Sequence, residues 1–347
     1  MKAIVLQAKN QLAIKDVPEP GLQRESDVIV RVTTAAICGS DIHIKHGLIP
    51  GIGPGTIMGH EFVGVIERAG TTVTRFKRGD RVAAPAAVWC GTCSCCRRGD
   101  VQYCVNGGVW GGGELLGRGL SGVQTAYVRV PYADVCLTPI PDSVSDDQAV
   151  FVGDVFSTGY YAAREGHIET GDTVAIFGCG PIGLAALAAA WQFGAGRVIS
   201  VDMFPNRLAV AAHYGALVID ARGGAVAERV RGVAGGEGAD VAIEAVGKTE
   251  TFEHALQSVR RGGAVSAVGL FFEPVTFPIN ELMTRGLRLS MGLGNLGFMS
   301  RLMSMISAGR VDLSPLATHT FALKDGLEAY DLVENHKEAC IKVLLKP

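Results

Sequence analysis

Residues 173–183, TVAIFGCGPIG, decide the architecture of this chain. The first five residues are a compact apolar run of strand type. The next six, Gly178-Cys179-Gly180-Pro181-Ile182-Gly183, fit G-x-G-x-x-G and open the apolar helical stretch PIGLAALAAAWQFG. In that setting Gly178 permits a tight turn, Gly180 lets the backbone approach a pyrophosphate, and Gly183 lets helix pack on strand. Pro181 and Ile182 complete the turn, which sets the phosphates over the unpaired N–H groups of a helix N-terminus. Asp202 lies 19 residues beyond Gly183, at the end of the strand-like RVISVD. A carboxylate there can bind the adenosine ribose hydroxyls. Its charge disfavours a 2′-phosphate, so NAD is the expected cofactor, although nearby Arg207 is of a type that can accommodate that phosphate.

Downstream the pattern continues with a helical stretch at 205–214, LVID, a second helical stretch, DVAIEAVG and AVSAVGL. Strands alternating with helices predict a parallel α/β sheet. Near residue 290 the alternation stops, and the tail from Phe298 reads as helical before closing with CIKVLL. Upstream, residues 1–150 hold short apolar stretches punctuated by Gly and Pro, among them DVIVRVTTAAI, EFVGVIERAG and AYVRV. Gly79-Asp80 reads as the turn ahead of RVAAP. This half predicts a mainly β domain with a barrel-like antiparallel core.

A chain of 347 residues is long for one domain, so two are expected. The net charge of −2, with no polybasic run, argues against nucleic acid or an anionic membrane as partner. No apolar run approaches the ~20 residues of a membrane span, and the N-terminus is unlike a signal peptide. A soluble, cytoplasmic chain is the expectation.

Nine cysteines, an odd number with four clustered, suggest metal ligation in a reducing compartment rather than disulfides. Cys90, Cys93, Cys96 and Cys104, separated by two, two and seven residues, can enclose one tetrahedral zinc. Four sulfurs leave no open position, so such a zinc is structural. Cys95 offers a second register, with gaps of one and eight. A further set, Cys38, His60 and Asp154, would make a Cys/His/carboxylate site that keeps one position open for water or substrate.

Together these segments resemble the zinc-dependent medium-chain alcohol dehydrogenases over essentially the whole chain. The resemblance is carried by CGSDIH (38–43), GHEFVG (59–64), GDRV (79–82), the cysteine tetrad, FSTGY (156–160), GCGPIG (178–183) and VDMFPNR (201–207). It implies an α/β fold: a GroES-like, mainly β catalytic domain at 1–155 and 294–347, with a structural-zinc lobe at about 88–106, and a Rossmann doubly wound parallel-sheet cofactor domain at 156–293. It implies two zinc ions per chain, one catalytic and one structural, and selects Cys96 over Cys95. Cys38, His60 and Asp154 match the catalytic ligands. Many members have cysteine at the third position, and aspartate is shared by a bacterial branch. The harder oxygen donor would leave zinc more Lewis acidic and less tightly held. Glu61 matches a carboxylate behind the metal that can enter as a transient ligand. Asp41 matches the partner that fixes the tautomer of the zinc-bound histidine. Ser40 and His43 match a proton relay, the first taking the alcohol proton and the second passing it on through the nicotinamide ribose to solvent. Thr158, Val246, Val268, Gly269 and Leu270 fall where the family contacts its cofactor.

The resemblance implies hydride transfer between NAD and a primary or secondary alcohol, or the aldehyde or ketone in reverse. Apolar stretches at Ala86-Ala87-Val88, Val109-Trp110, Leu115-Leu116 and Met291–Leu293 favour a monohydric substrate. A polyol or butanediol dehydrogenase and a glutathione-independent formaldehyde dehydrogenase are the alternatives, with a non-catalytic nucleotide-binding relative as the reading from another class. The strand-like LRLSMGLG (287–294) matches an edge strand that pairs across a two-fold axis in the family. A homo-oligomer is therefore expected, a dimer at least and by branch a tetramer.

Overall fold

In the computed structural model, which describes residues 1–347, the run TVAIF becomes strand Thr173–Phe177, with four of its five residues buried. It pairs in parallel with Arg197–Asp202 on one side and Ala239–Glu244 on the other. The whole sheet runs Leu217–Asp220, Arg197–Asp202, Thr173–Phe177, Ala239–Glu244, Val259–Ala267, Arg288–Met291, and every neighbouring pair is parallel. Numbered along the chain this order is 3-2-1-4-5-6, a doubly wound Rossmann sheet. Such strands are covered on both faces, which is why they read as apolar runs rather than as alternation. Helix Pro181–Gln192 buries every residue from Gly183 to Ala190, as expected of a helix that is apolar all round. These elements form a compact unit, Thr158–Gly294.

The second unit joins Met1–Ser157 to Asn295–Pro347. Its sheet has seven strands, with the path Ala317–Ala322, Lys342–Lys346, Val28–Ile37, Glu61–Ala69, Arg81–Ala84, Thr138–Pro139, and Tyr127–Val130 pairing Val28–Ile37. Two bulges interrupt the central ladder, and Ala36 stands opposite Glu61. Cys38, just past one strand, and His60, just before the other, therefore emerge at the same end of the sheet.

The tail is not simply helical. Helix Met299–Ser307 follows the expectation, but strand Ala317–Ala322 and helix Gly326–Asn335 precede the closing strand Lys342–Lys346. Ala317–Ala322 pairs in parallel with Lys342–Lys346, so the sheet is not purely antiparallel. Parallel neighbours need a long crossover, and helix Gly326–Asn335 supplies it. No helix is long and apolar enough to cross a membrane.

Candidate active site and metal centres

The register of the sheet starts the first centre, and a close approach completes it. The carbonyl of Gly153 accepts from Ala86 N–H at 2.9 Å. A Cβ on Gly153 would lie 2.1 Å from the Ala84 carbonyl oxygen. Only glycine lets the chain press against the end of strand Arg81–Ala84, and the next residue is Asp154. The ligating atoms of Cys38, His60, Glu61 and Asp154 then lie within 4.8 Å of one another. Asp154 Oδ2 is 3.9 Å from Cys38 Sγ and 3.6 Å from His60 Nε2. His60 Nε2 is 3.9 Å from Glu61 Oε1.

Behind this cage a polar network fixes the imidazole. Asp41 Oδ1 faces His60 Nδ1 at 3.3 Å, which leaves Nε2 for the cage. Asp41 Oδ2 accepts from Cys38 N–H at 2.9 Å and from Gln124 Nε2 at 3.3 Å. Tyr330 donates to Gln124 Oε1 at 2.8 Å. Burial opposes charge on His60, yet Asp41 and Asp154 outweigh it and hold its pKa well above the usual value. Burial likewise opposes charge on Asp154, and His60 and Lys342 outweigh it, holding this carboxyl below its usual range. Glu61 Oε2 is buried without a hydrogen-bond partner. A cage of thiol, imidazole and carboxylate donors within 4.8 Å of one another, with one orphaned carboxylate oxygen, fits a divalent zinc ion.

Ser40 and His43 lie three residues apart on helix Gly39–Lys45, and so share a face. Ser40 Oγ is 3.5 Å from His60 Nε2. Half-burial, followed by the charges of His46 and Lys337, lowers the pKa of His43.

In the second cluster, Cys93 and Cys96 stand three residues apart around the short helix Ser94–Arg98, which Gly99 ends in a left-handed conformation at φ 88°. One helical turn puts Cys96, and not Cys95, back over Cys93. Sulfur–sulfur separations are 3.5 Å for Cys93–Cys96, 3.9 Å for Cys93–Cys104 and 3.6 Å for Cys90–Cys104. A tetrahedron with Zn–S bonds of about 2.3 Å has edges of about 3.8 Å, so the four sulfurs fit zinc. Cys95 Sγ instead lies 3.7 Å from the Arg98 guanidinium.

In the doubly wound unit the strand order reverses between Thr173–Phe177 and Ala239–Glu244, where such folds bind ligands beyond the carboxyl ends of the strands. Gly178, at φ 95°, makes the turn there, and a Cβ on it would lie 2.6 Å from Val246 Cγ2. Asp202 Oδ2 accepts from Cys179 N–H at 2.6 Å, while Oδ1 accepts from the N–H groups of Met203 and Phe204 at 2.7 and 2.9 Å. The carboxylate thus ties its own strand end to the glycine turn and keeps lone-pair capacity on Oδ2. Arg207 stacks on Phe204, 4.8 Å from the ring centroid, and its Nη1 would be 3.9 Å from a Cβ on Gly180. Glu244 Oε1 accepts from Val246 N–H and Gly247 N–H, each at 2.9 Å, and from Thr251 at 2.7 Å. Its backbone carbonyl accepts from Val268 and Gly269. Gly178, Val246, Val268, Gly269 and Leu270 are thereby gathered at the strand ends. Thr158 packs against Gly294, where a Cβ would lie 2.4 Å from its Oγ1.

Not every expected pocket residue is free to line one. Trp110 is 1% exposed, stands edge-on to Phe62 and donates to the Pro85 carbonyl at 2.6 Å. With Ala86 and Val88 it belongs to the hydrophobic core. Sequence reasoning also missed Gln124, Tyr330 and Lys342. For Lys342 a signal existed: one lysine inside the apolar segment CIKVLL.

A doubly wound sheet with a glycine-rich phosphate turn, carried on one chain with a β unit that holds two clusters of metal-ligating side chains, defines a two-domain metal-dependent dehydrogenase. A family model for the alcohol dehydrogenase GroES-like domain matches residues 24–142, and one for zinc-binding dehydrogenases matches residues 181–307. An alcohol dehydrogenase of Cupriavidus necator is 37% identical over 363 aligned residues, which cover 100% of this chain and 99% of that one. A sorbitol dehydrogenase of Bacillus subtilis is 33% identical over 100% of this chain and 97% of its own. The solved structure of alcohol dehydrogenase TADH from Thermus sp. ATN1 has a TM-score of 0.95 at 38% identity, covering 100% of this chain and 99% of that one. The chain belongs to the zinc-dependent medium-chain alcohol dehydrogenase family.

Proposed function

We propose that this zinc-dependent alcohol dehydrogenase transfers hydride reversibly between a primary or secondary alcohol and NAD. In this reading Met1–Ser157 with Asn295–Pro347 is the catalytic part and Thr158–Gly294 the cofactor part. The convergence of Cys38, His60 and Asp154 carries the proposal, because three protein donors hold a zinc ion with a position to spare. When bound, zinc would lower the pKa of an alcohol hydroxyl and NAD⁺ would accept the hydride from the carbinol carbon.

The remaining work belongs to the chain. Asp41 holds His60 so that Nε2 faces the cage. Ser40 would take the hydroxyl proton, and His43, whose pKa burial lowers, would pass it on toward solvent. Each turnover converts an alcohol and NAD⁺ into a carbonyl compound, NADH and one proton. The glycine turn at 178–183 receives the pyrophosphate, and Thr158, Val246, Val268, Gly269 and Leu270 border the rest of the cofactor. Asp202 receives a ribose hydroxyl on Oδ2, which favours NAD over NADP; Arg207 lies on the same side. Cys90, Cys93, Cys96 and Cys104 hold a second, structural zinc. The chain acts in the cytoplasm as a homo-oligomer.

The test is NADH absorbance at 340 nm across monohydric alcohols, polyols and formaldehyde, with NAD and NADP in parallel. Activity peaking on monohydric alcohols with NAD, and lost with a zinc chelator, is the expected result. A peak on vicinal diols or sugars would move the enzyme to the polyol branch, a reading favoured by the sorbitol dehydrogenase relative. Silence across the panel with zinc present would sink the catalytic reading.

A further inference from the structure

Four donors converging on one zinc ion close it, since a tetrahedral ion keeps no place for substrate. Cys38, His60, Glu61 and Asp154 are such a set, but Glu61 does not stand in it as an equal. Its Oε1 receives the ammonium of Lys342, and the two side chains are 0% and 1% exposed. Its Oε2 is buried with no hydrogen-bond partner. Lys342 is the only buried lysine of the chain. The sheet itself makes this pair. Strand Val28–Ile37 carries Glu61 opposite Ala36 on one side, and on the other Val343 opposite Ile37 and Leu344 opposite Ala36. The start of each outer strand therefore lies beside Cys38.

We propose that Lys342 is a positioning residue that holds Glu61 in reserve, so that the Cys38/His60/Asp154 centre keeps three permanent protein ligands and a fourth position open to substrate. The inference rests on the zinc reading above. An unpaired buried carboxylate is costly. Without Lys342 Glu61 would lose the one ammonium that bonds it, and permanent coordination to the metal would relieve its buried charge. Charge follows the same logic: Cys38, Glu61 and Asp154, with buried Asp41 behind His60, outnumber the two charges of zinc, and the buried ammonium of Lys342 offsets part of that excess.

The experiment measures zinc release from the holoenzyme to a chromogenic chelator and the visible spectrum of enzyme with Co²⁺ at the Cys38 centre. Five forms are compared: wild type, Lys342→Met, Lys342→Arg, Glu61→Gln and the pair Glu61→Gln/Lys342→Met. Lys342→Met should release the Cys38-centre zinc about tenfold more slowly, on the scale typical of groups just behind metal ligands. Its cobalt d–d bands should shift while keeping four-coordinate intensity, as a carboxylate oxygen takes the fourth position. Lys342→Arg should stay near wild type, and the double variant should match Glu61→Gln alone. Unchanged release and an unchanged spectrum in Lys342→Met would overturn the proposal. So would equal slowing in the Glu61→Gln background, which would mean that Lys342 acts by charge at a distance. If Lys342→Met does not fold, the double variant carries the test, and any difference from Glu61→Gln overturns it. Wild-type zinc content that Cys38→Ser leaves unchanged would defeat the zinc reading itself, and is scored apart.

Discussion

Cys95 and Cys96 are neighbours in sequence and have separate fates in space, because a helical turn returns the chain after three residues and not after two. Cys95→Ser should leave zinc content and melting temperature unchanged, whereas Cys96→Ser should lose about one zinc per chain and melt earlier. Elemental analysis and calorimetry on the two variants decide it. Asp202 has two duties, holding three backbone N–H groups and offering a lone pair to a ribose. Asp202→Asn keeps its shape and loses the charge, so the kcat/KM ratio should shift toward NADP by about tenfold, in line with the 1.5–3 kcal/mol of a charged hydrogen bond. An unchanged ratio would refute the assigned role. At this scale the tetrad, the GHE triplet and the glycine turn were legible because each is a short local string. The Lys342–Glu61 pair was not, since its members stand 281 residues apart and only sheet register unites them.

Helix Gly39–Lys45 presents Ser40 and His43, and seven residues are too few for a helix to persist alone. It is tied at its C-terminal end to helix Gly326–Asn335 by Glu334, which bonds Lys45 and, at 2.6 Å, His46. Burial opposes charge on Glu334, yet Lys45 and His46 outweigh it and hold its carboxyl below the usual range. A lowered carboxyl contributes stability above its unfolded pKa and loses it as pH falls through the folded value. Glu334→Gln should therefore cost about 1 kcal/mol at pH 7 and little in acid below the folded pKa of Glu334. Urea titrations at both pH values check this. Among the elements, strand–helix alternation from residue 173 onward was plain because a covered parallel sheet is apolar throughout. Strand Ala317–Ala322 escaped notice: its burial alternates between half-buried and exposed, so ATHTFA carries little apolar signal.

For the whole molecule, the sheet of the cofactor unit ends in an edge. Strand Arg288–Met291 pairs on one side only, with Met291 63% and Leu293 51% exposed. Beside it lies a hollow of about 540 Å³ whose lining includes Phe252, Leu270, Phe277 and Leu289. An apolar unpaired edge invites a partner, and a second copy of the chain is the proposed one. Met291→Lys should convert the assembly to smaller species in light scattering, while a wild-type monomer would dismiss the idea. The unit Met1–Ser157 with Asn295–Pro347 is interrupted by the other, and this sets a timetable for synthesis. A ribosome delivers Cys38, His60, Glu61 and Asp154 first, then all of the cofactor unit, and only afterwards the strand that bears Lys342. A nascent chain that captures zinc early meets four willing donors and no ammonium. On the proposed role of Lys342, metal taken up that early would be sequestered, and the late strand would turn a storage site into a working one.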